Sequence, residues 1–293
     1  MDEQLNESVK EWWNKNPFSY GLSKKSGSYR DVGDIADSEL DINFFDRYMA
    51  KMRKNADGQI DPLMYKFIDY DFIKGKKVLD IAIGFGWSVI EMVRNGALVT
   101  GIDIAPRAVE LTRKHLQLRN LTAEVMAMDA QKLQFSDESF DYAHAWGCLM
   151  HMPDTQGAIN EIFRVLKKGG RTSGYMYNKN SVTFWWHRWF LRGILMGKLI
   201  KYRGDTQKLV SRYGDGVTIG GCPLIKVYTP KEAAKMFEKA GFVNVRVDSW
   251  GPPALLNNFP TRKTPWGKYL PYSWKKFISS RWGWGMIFHA DKK

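Results

Sequence analysis

Residues 78–88 read VLDIAIGFGWS, and they are the most informative part of this sequence. An apolar run containing Asp80 leads into a turn with Gly84 and Gly86, and a helix is predicted to begin at Ser88. Glycine has no Cβ, so such a turn lets a ligand approach the bare backbone. The stretch therefore predicts a buried strand, a tight ligand-binding turn and a helix in succession.

A second apolar run, residues 98–102, ends at another acidic residue, Asp103. Asp103 follows Gly84 by 19 positions. Nucleoside-binding βαβ units carry an acidic residue about 20 positions after their glycines. An ionised carboxylate can accept hydrogen bonds from both hydroxyls of a ribose. Together the glycine turn and Asp103 predict a nucleoside site.

Four segments resemble, in order, the class I S-adenosylmethionine (SAM) methyltransferases, in the small-molecule branch that includes the quinone-biosynthesis enzymes. They are VLDIAIGFG at 78–86, VTGIDIAPRAVELTRKH at 99–115, AMDAQKLQFSDESFDYAHAWGCLMHMPD at 127–154 and AINEIFRVLKKGGR at 158–171. The resemblance is close over residues 76–176 and loose over 227–249. Ala82 stands where the family has its first glycine, and we interpret it as a tolerated variation.

The resemblance implies SAM as the cofactor and S-adenosylhomocysteine as its product. By the same resemblance, Asp80 orders the glycine turn and the amino end of SAM, Asp103 holds the ribose, and Asp129 accepts from the adenine amino group. The remaining residues that the resemblance places against the cofactor are Ala82, Gly84, Gly86, Ile104, Ala130, Trp146 and Gly147. For Ile104, a place in the core is an equally good interpretation. No metal site is predicted.

His151 is the candidate general base. It follows the fourth predicted strand on the ligand side of the sheet, and histidine exchanges protons near neutral pH. A role in capping or packing the next helix is an equally good interpretation. Weaker alternatives on segments that could fold over the site are Tyr20, Tyr177, His187, Tyr213 and Asp215.

The alternation of strands and helices predicts an α/β fold with a mostly parallel sheet and helices on both faces. With the family resemblance, this becomes a Rossmann-like sheet of seven strands. Strands are predicted at 77–81, 98–102, 123–126, 140–145, 171–176, 243–249 and 285–290. Helices are predicted at 4–15, at 43–70 with an interruption, and at 88–95, 106–117, 155–166 and 231–240.

The same pattern divides the chain into four parts. Residues 1–75 form an N-terminal helical cap and 76–176 a SAM-binding core. Residues 177–229 form a lid insertion after the fifth strand. Residues 230–293 complete the core and carry a second insertion at 250–282. Loops that follow the carboxyl ends of parallel strands emerge on the ligand side, so the lid is expected to cover the site.

Composition narrows the function classes. The chain has 293 residues, two cysteines and a net charge of +13. Low cysteine content predicts a reducing compartment, and the polar start MDEQLNES does not resemble a signal peptide. We therefore expect a cytoplasmic protein with no spanning segment. All of the excess positive charge lies in residues 179–208 and 251–293, which also carry most of the tryptophans.

The basic, aromatic insertions are compatible with several kinds of partner. Residues 181–203 mix tryptophans with cations, as helices at a membrane interface do, although packing on the core explains the same pattern. The favoured function is methyl transfer to a small or amphiphilic, lipid-linked metabolite, with oxygen the favoured acceptor atom. RNA methylation is the alternative, but it is disfavoured because AWGCLMH follows the fourth strand where an Asn-Pro-Pro-Tyr-like segment would be expected. Exposed aromatic residues would also suit an interface between subunits, so the sequence is compatible with a homo-oligomer.

Overall fold

The computed structural model describes residues 2–17, 37–53, 67–215, 220–251 and 272–293. Its strands are β1 (Lys77–Ile81), β2 (Leu98–Asp103), β3 (Glu124–Ala127), β4 (Phe140–Trp146), β5 (Leu166–Tyr177), β6 (Val243–Trp250) and β7 (Gly285–Asp291). Its α-helices are α1 (Asp2–Lys15), α2 (Ile42–Arg53), α3 (Tyr70–Ile73), α4 (Trp87–Arg94), α5 (Pro106–Leu118), α6 (Thr155–Val165), α7 (Lys198–Lys201), α8 (Thr206–Tyr213), α9 (Pro230–Ala240) and α10 (Tyr272–Trp282). A π-helix spans Thr183–Leu195, and 3-10 turns cover Asp37–Glu39 and Leu149–His151.

The seven strands form one sheet in the order β3-β2-β1-β4-β5-β7-β6. Strands β1 to β5 pair in parallel, whereas β7 runs antiparallel to both β5 and β6. The strand order reverses between β1 and β4, and open α/β sheets bind ligands outside the carboxyl ends of the strands at such a point. The predicted Rossmann-like, mostly parallel sheet is confirmed.

The core lies on both faces of this sheet. In β1 the four residues from Val78 to Ile81 are all buried, as expected for a central strand covered on both sides. One core cluster joins Val78 to Phe45 of α2 and to the helices α4 and α5. The opposite cluster joins Leu79 to Ile159 of α6 and to the helix α9. The position of the carboxyl edge of β1 is therefore set by packing on both sides.

Two predicted elements differ from the structure by more than two residues. Of the helix predicted over 43–70, residues 54–66 with the predicted interruption lie outside the described residues. Residues 67–69 are not helical, and Asp69 caps the short α3. Strand β5 begins at Leu166 rather than at 171, but its register with β4 is irregular until Arg171 pairs with Tyr142. Regular pairing therefore begins where the sequence predicted the strand to start.

The segment after β5 is mainly helical from residue 183 to residue 213, whereas residues 220–229 form no helix. The π-helix, α7 and α8 follow one another, and Val210 of α8 packs in a cluster with Tyr177 at the end of β5 and Met150 after β4. Trp12 and Trp13 of α1 pack against the same cluster. This segment and α1 therefore meet at the carboxyl edge of β4 and β5. Most of the second predicted insertion, residues 252–271, lies outside the described residues.

Candidate active site

The two glycines of the turn after β1 have different surroundings. Both have left-handed backbones, with φ of +55° at Gly84 and +83° at Gly86. A Cβ built on Gly84 would meet no atom within 4 Å, whereas one on Gly86 would lie 2.7 Å from the Thr112 side chain of α5. Gly84 therefore borders open space where a ligand can approach. Gly86 is required by the packing of α5, and its approach to the cofactor stays a prediction.

Ala82 holds the same kind of backbone conformation without being glycine. Its φ is +61°, in the left-handed region that L-residues with a Cβ adopt at a cost of about 1–2 kcal/mol. The turn is fixed on either side because the N–H groups of Ala82 and Ile83 both donate to the carbonyl of Ile102 in β2. Ala82 is thus strained by a conformation that the neighbouring strand imposes.

Substituting Ala82 with glycine should stabilise the protein. Relief of the strained φ exceeds the extra chain entropy of glycine, which is about 0.5–1 kcal/mol, so we expect a net gain of roughly 0.5–1 kcal/mol in the free energy of unfolding. Denaturant unfolding measures it. The matched control is Gly75→Ala, at a left-handed position with open space around it, which should lose stability. An Ala82→Gly variant that is no more stable than wild type would contradict the strain.

Asp103 holds the glycine turn in place. It ends β2, it is 7% exposed, and its Oδ2 accepts from the N–H of Gly84 at 3.0 Å. Its Oδ1 accepts from the N–H of Ala105 at 2.9 Å. A carboxylate has about four acceptor positions, so acceptor capacity remains after these bonds. Burial raises the pKa of Asp103 to about 6, although the N–H donors of Ala105 and Gly84 oppose the shift.

Asp80 occupies a deeper position than expected. Its Oδ2 accepts from the hydroxyl of Ser88 in the first turn of α4, and the side chain is buried. Burial raises its pKa to about 7, the bond from Ser88 opposes this shift, and the nearby charge of Asp103 adds to it. The carboxylate that bonds the glycine turn directly is that of Asp103, whereas Asp80 ties β1 to α4.

The raised pKa of Asp80 predicts a pH-dependent stability difference. Between the unfolded pKa of about 4 and the folded pKa of about 7, the native state binds the proton more tightly, so ionisation destabilises the fold as pH rises. Asp80→Asn keeps an acceptor for Ser88 and cannot ionise. From pH 5 to pH 8 its free energy of unfolding should therefore gain on wild type by about 2 kcal/mol. If the free energies of unfolding of wild type and variant instead change in parallel from pH 5 to pH 8, Asp80 stays ionised over this range.

Helix α1 lies across the carboxyl edge of the sheet at Asp129. The side-chain amide of Asn6 donates to Asp129 Oδ2 at 2.8 Å, and Gln131 donates to the same carboxylate from its backbone and its amide. At the other end of α1, Asn14 accepts from the N–H of Arg107 at the start of α5 at 2.9 Å. Asn6 thus takes the hydrogen-bonding position that the resemblance gives to the adenine amino group. The sequence offered no signal for Asn6.

His151 is buried, with 4% of its surface exposed, and both ring nitrogens face polar groups. Its Nδ1 lies 2.8 Å from the carbonyl of Leu224, which can only accept, so Nδ1 carries a proton. Its Nε2 lies 3.4 Å from Asp215 Oδ2. Burial lowers the pKa of His151 below its usual range, and the Asp215 carboxylate and the Leu224 carbonyl partly oppose this. His151 is thus favoured as a neutral ring whose Nε2 can accept a proton.

Asp215 connects His151 to β5. The hydroxyl of Tyr177 donates to both carboxylate oxygens of Asp215 at 2.8 Å. All three side chains are buried, and the ring of Trp13 packs edge-on to His151 with centroids 5.1 Å apart. Two of the weaker sequence candidates, Tyr177 and Asp215, are therefore brought together with His151. The packing role and the base role predicted for His151 are compatible with this geometry.

The remaining predicted residues are distributed around this edge. Trp146 is half-buried and stacks on Tyr175 at 4.9 Å, while the N–H of Gly147 donates to the Tyr175 carbonyl. Ile104 is half-buried and Ala130 is buried. The ring of Tyr213, in α8, lies under the guanidinium groups of Arg192 and Arg212. Tyr20 and the side chain of His187 lie outside the described residues.

The topology, the glycine turn and the acidic strand end together define a Rossmann-like nucleoside-binding domain. Residues 78–170 match the family model described as a methyltransferase domain. Residues 78–170 thus form a methyltransferase domain, as the resemblance predicted, and relatives named as ubiquinone and demethylmenaquinone methyltransferases match part of the chain.

Three curated relatives each match between about a third and two fifths of this chain. The ubiquinone biosynthesis O-methyltransferase of Coxiella burnetii is 29% identical over 122 residues, which are 41% of this chain and 52% of that protein. The demethylmenaquinone methyltransferase of Tropheryma whipplei is 40% identical over 98 residues, which are 33% of this chain and 40% of that protein. Phosphoethanolamine N-methyltransferase 2 of Caenorhabditis elegans is 35% identical over 112 residues, which are 37% of this chain and 25% of that protein. The chain thus spans about half or less of these relatives.

Solved structures agree on the fold. A SAM-dependent methyltransferase from Methanosarcina mazei has a TM-score of 0.53 and 22% identity, covering 80% of this chain and 98% of its own. A putative methyltransferase of Haloferax volcanii, solved in complex with the Trm112 activator, has a TM-score of 0.55 and 17% identity, covering 89% and 98%. At these identities the likeness extends to the Rossmann-like fold alone.

Proposed function

We propose that this protein transfers the methyl group of SAM to an oxygen atom of a small-molecule or amphiphilic, lipid-linked metabolite. The observation that carries the proposal is the bond from Gly84 to Asp103, which holds an ionisable carboxylate beside open space at the sheet's switch point. A bare backbone and an acidic strand end at this position suit the sugar of a nucleoside.

The residues present fit SAM as the cofactor. The Cβ position of Gly84 is open, and Asp103 retains acceptor capacity after bonding two N–H groups. Asp129 also carries an acceptor pair that already binds an amide donor, Asn6. When bound, SAM supplies an electrophilic methyl group on its sulfonium sulfur. The protein then has to hold the acceptor in line with this methyl group and take up the acceptor's proton.

The pair of His151 and Asp215 is suited to taking up that proton. The carbonyl of Leu224 fixes the proton on Nδ1, which leaves Nε2 to receive the proton of an acceptor hydroxyl. The Asp215 carboxylate, 3.4 Å away, then stabilises the imidazolium. Because Trp13 packs on His151 and Asn6 bonds Asp129, the proposal requires α1 to move when substrates enter. In this proposal residues 177–229 act as the lid that supplies Asp215.

The choice of oxygen is supported by the relative named as a ubiquinone biosynthesis O-methyltransferase. The relative named as a phosphoethanolamine N-methyltransferase makes nitrogen the competing acceptor. A basic and aromatic lid is compatible with an amphiphilic acceptor, because tryptophan and lysine both favour the boundary between water and lipid. These arguments support a class of acceptor rather than one compound.

The test is transfer of label from methyl-labelled SAM to extracts of small molecules and lipids, followed by identification of the labelled product. We expect label in a low-mass or lipid product with a new O-methyl group. An N-methyl product would overturn the oxygen assignment, and label in RNA would favour the RNA alternative. If SAM binds in calorimetry but no product is labelled, the proposed transfer is wrong.

A further inference from the structure

The π-helix and the residues that follow it expose large apolar side chains to solvent. They are Trp185, Trp186, Ile194, Leu195, Met196 and Ile200, and we call them the apolar tip. Ile200 is 84% exposed and Leu195 is 64% exposed. Helices on the surface of a globular protein normally turn their polar side outward. Here the side turned outward is the apolar one, which requires a separate explanation.

The π-helix that carries the exposed side chains is itself packed against the rest of the protein. Phe184 and Arg188 of the π-helix are buried, and the Arg188 guanidinium lies 3.8 Å from the Trp284 ring centroid. Gly193, on the same side, packs against Leu199. The helix is therefore anchored on one side by its own contacts. Trp185 and Ile194, which directly follow the buried Phe184 and Gly193 in the chain, are both exposed.

A groove next to the apolar tip extends the same surface. It has a volume of about 700 Å³ and includes Trp185, Trp189 and Phe190 of the π-helix, together with Arg281 and Trp282 at the end of α10. In α10, Trp274 and Phe277 are also exposed. The outward aromatic side chains of the π-helix and of α10 are thus part of one face of the protein. A contiguous apolar area of this kind marks an interaction site.

Positive charge lies at one end of this face. Lys201 and Arg203 are exposed directly beside Ile200, and Lys198 is half-buried between Met196 and Ile200. Residues 179–208 carry seven lysines and arginines against one aspartate. The partner of this surface therefore has both an apolar interior and a negatively charged boundary.

Three kinds of partner bind basic, aromatic surfaces, and the details favour a bilayer. Nucleic acids stack on aromatic rings, but Ile194, Leu195 and Ile200 have no ring and gain nothing from stacking. A second copy of the chain would bring the same cations opposite one another in a two-fold interface. An anionic bilayer accommodates aliphatic side chains in its hydrocarbon, tryptophans at its interface and lysines at its headgroups.

We propose that the apolar tip docks the protein onto the surface of an anionic lipid bilayer. The docking is peripheral, since no helix among the described residues is long and apolar enough to cross a membrane. The π-helix begins six residues after Tyr177, whose hydroxyl bonds Asp215 in the candidate active site. Docking therefore holds that site near acceptors dissolved in the bilayer, and this last consequence rests on the proposed methyl transfer.

The test is co-sedimentation of the full chain with phosphatidylglycerol–phosphatidylcholine vesicles, and with vesicles of phosphatidylcholine alone, at low salt. We expect at least about tenfold tighter binding to the anionic vesicles and a blue shift of tryptophan emission on binding. A Leu195→Ser, Ile200→Ser double variant should lose at least about tenfold. Leu98→Ser is the control, because Leu98 is equally exposed at 61% but lies at the start of β2, on the opposite edge of the sheet.

Charge reversal provides a second arm. Lys201→Glu with Arg203→Glu should weaken vesicle binding at least about tenfold, whereas Lys239→Glu on α9 should leave it unchanged. Equal binding to both vesicle types, equal losses in tip and control variants, or self-association that shields the tip would each overturn the proposal. RNA binding with a steep salt dependence and no vesicle binding would overturn it as well.

The same samples separate this proposal from the proposed function. SAM binding and label transfer without vesicle binding would refute docking and leave methyl transfer standing. Vesicle binding without SAM binding would support docking and refute methyl transfer.

Discussion

Asp103→Asn should weaken SAM binding by at least about 100-fold. Asparagine has one acceptor oxygen, so it cannot serve the N–H groups of Gly84 and Ala105 as the carboxylate does. It also removes the charge from the bonds proposed to the ribose hydroxyls. Hydrogen bonds to charged groups contribute about 1.5–3 kcal/mol each, so losing two of them accounts for the expected effect. Calorimetric titration at pH 8 measures it, because the wild-type carboxylate is ionised there.

The control for Asp103→Asn is Asp137→Asn. Asp137 lies in the loop before β4, where it is exposed and pairs with Arg164 of α6. Its loss should therefore leave SAM affinity within twofold of wild type. The pKa of Asp103, raised to about 6, adds a pH signature. Wild-type affinity should decline as pH falls through 6 and the carboxyl is protonated, and the variant should lack this decline. Affinity within threefold of wild type at pH 8 would show that Asp103 does not hold the cofactor.

His151→Ala should lower turnover by about 100- to 1000-fold while leaving the SAM dissociation constant within threefold. A positioned general base contributes about 10²–10⁴ in rate, and His151 lies beyond β4 rather than at the glycine turn. Single-turnover transfer from labelled SAM measures the loss, once an acceptor is identified. In wild type the rate should fall at acid pH, through a pKa lower than the usual value for histidine, because burial lowers the pKa of His151.

His151→Gln separates a base from a packing residue. Glutamine keeps much of the volume and can still donate to the Leu224 carbonyl, but it cannot take up a proton. If His151 is the base, turnover of the glutamine variant stays as low as that of the alanine variant, although its thermal stability is closer to wild type. If His151 only packs, glutamine restores turnover to within a few-fold. The Asp215→Asn variant should show a shifted acid limb of the pH profile if Asp215 stabilises the imidazolium.

The parts of the fold that could be predicted are those encoded by short-range patterns. Strands β1 and β2 are mostly apolar and largely buried, and the turn between β1 and α4 is marked by glycines that adopt left-handed backbones. Asp103 could be assigned because a strand end and a fixed spacing specify its place at the sheet edge. The irregular start of β5 could not be located, because it depends on pairing with β4.

The candidate base and its surroundings depend on contacts between distant residues. His151, Tyr177 and Asp215 are far apart in sequence and meet only because the segment after β5 folds back over β4. Asn6 reaches Asp129 across 123 positions through the placement of α1. No local pattern specifies such contacts, since each polar residue alone suits a turn or a helix surface equally well.

From residue pattern alone come the Rossmann-like class, the glycine turn and the acidic strand ends, because backbone conformation and strand burial are set by neighbours in the chain. Tertiary structure alone decides that Gly86 serves α5, that Asp215 faces His151, and that the apolar side of the π-helix faces solvent. The physical reason is that the hydrophobic effect is non-directional, so an apolar stretch of sequence does not specify which partner covers it. An apolar helix face is equally suited to a protein core and to lipid until its packing partners are in place.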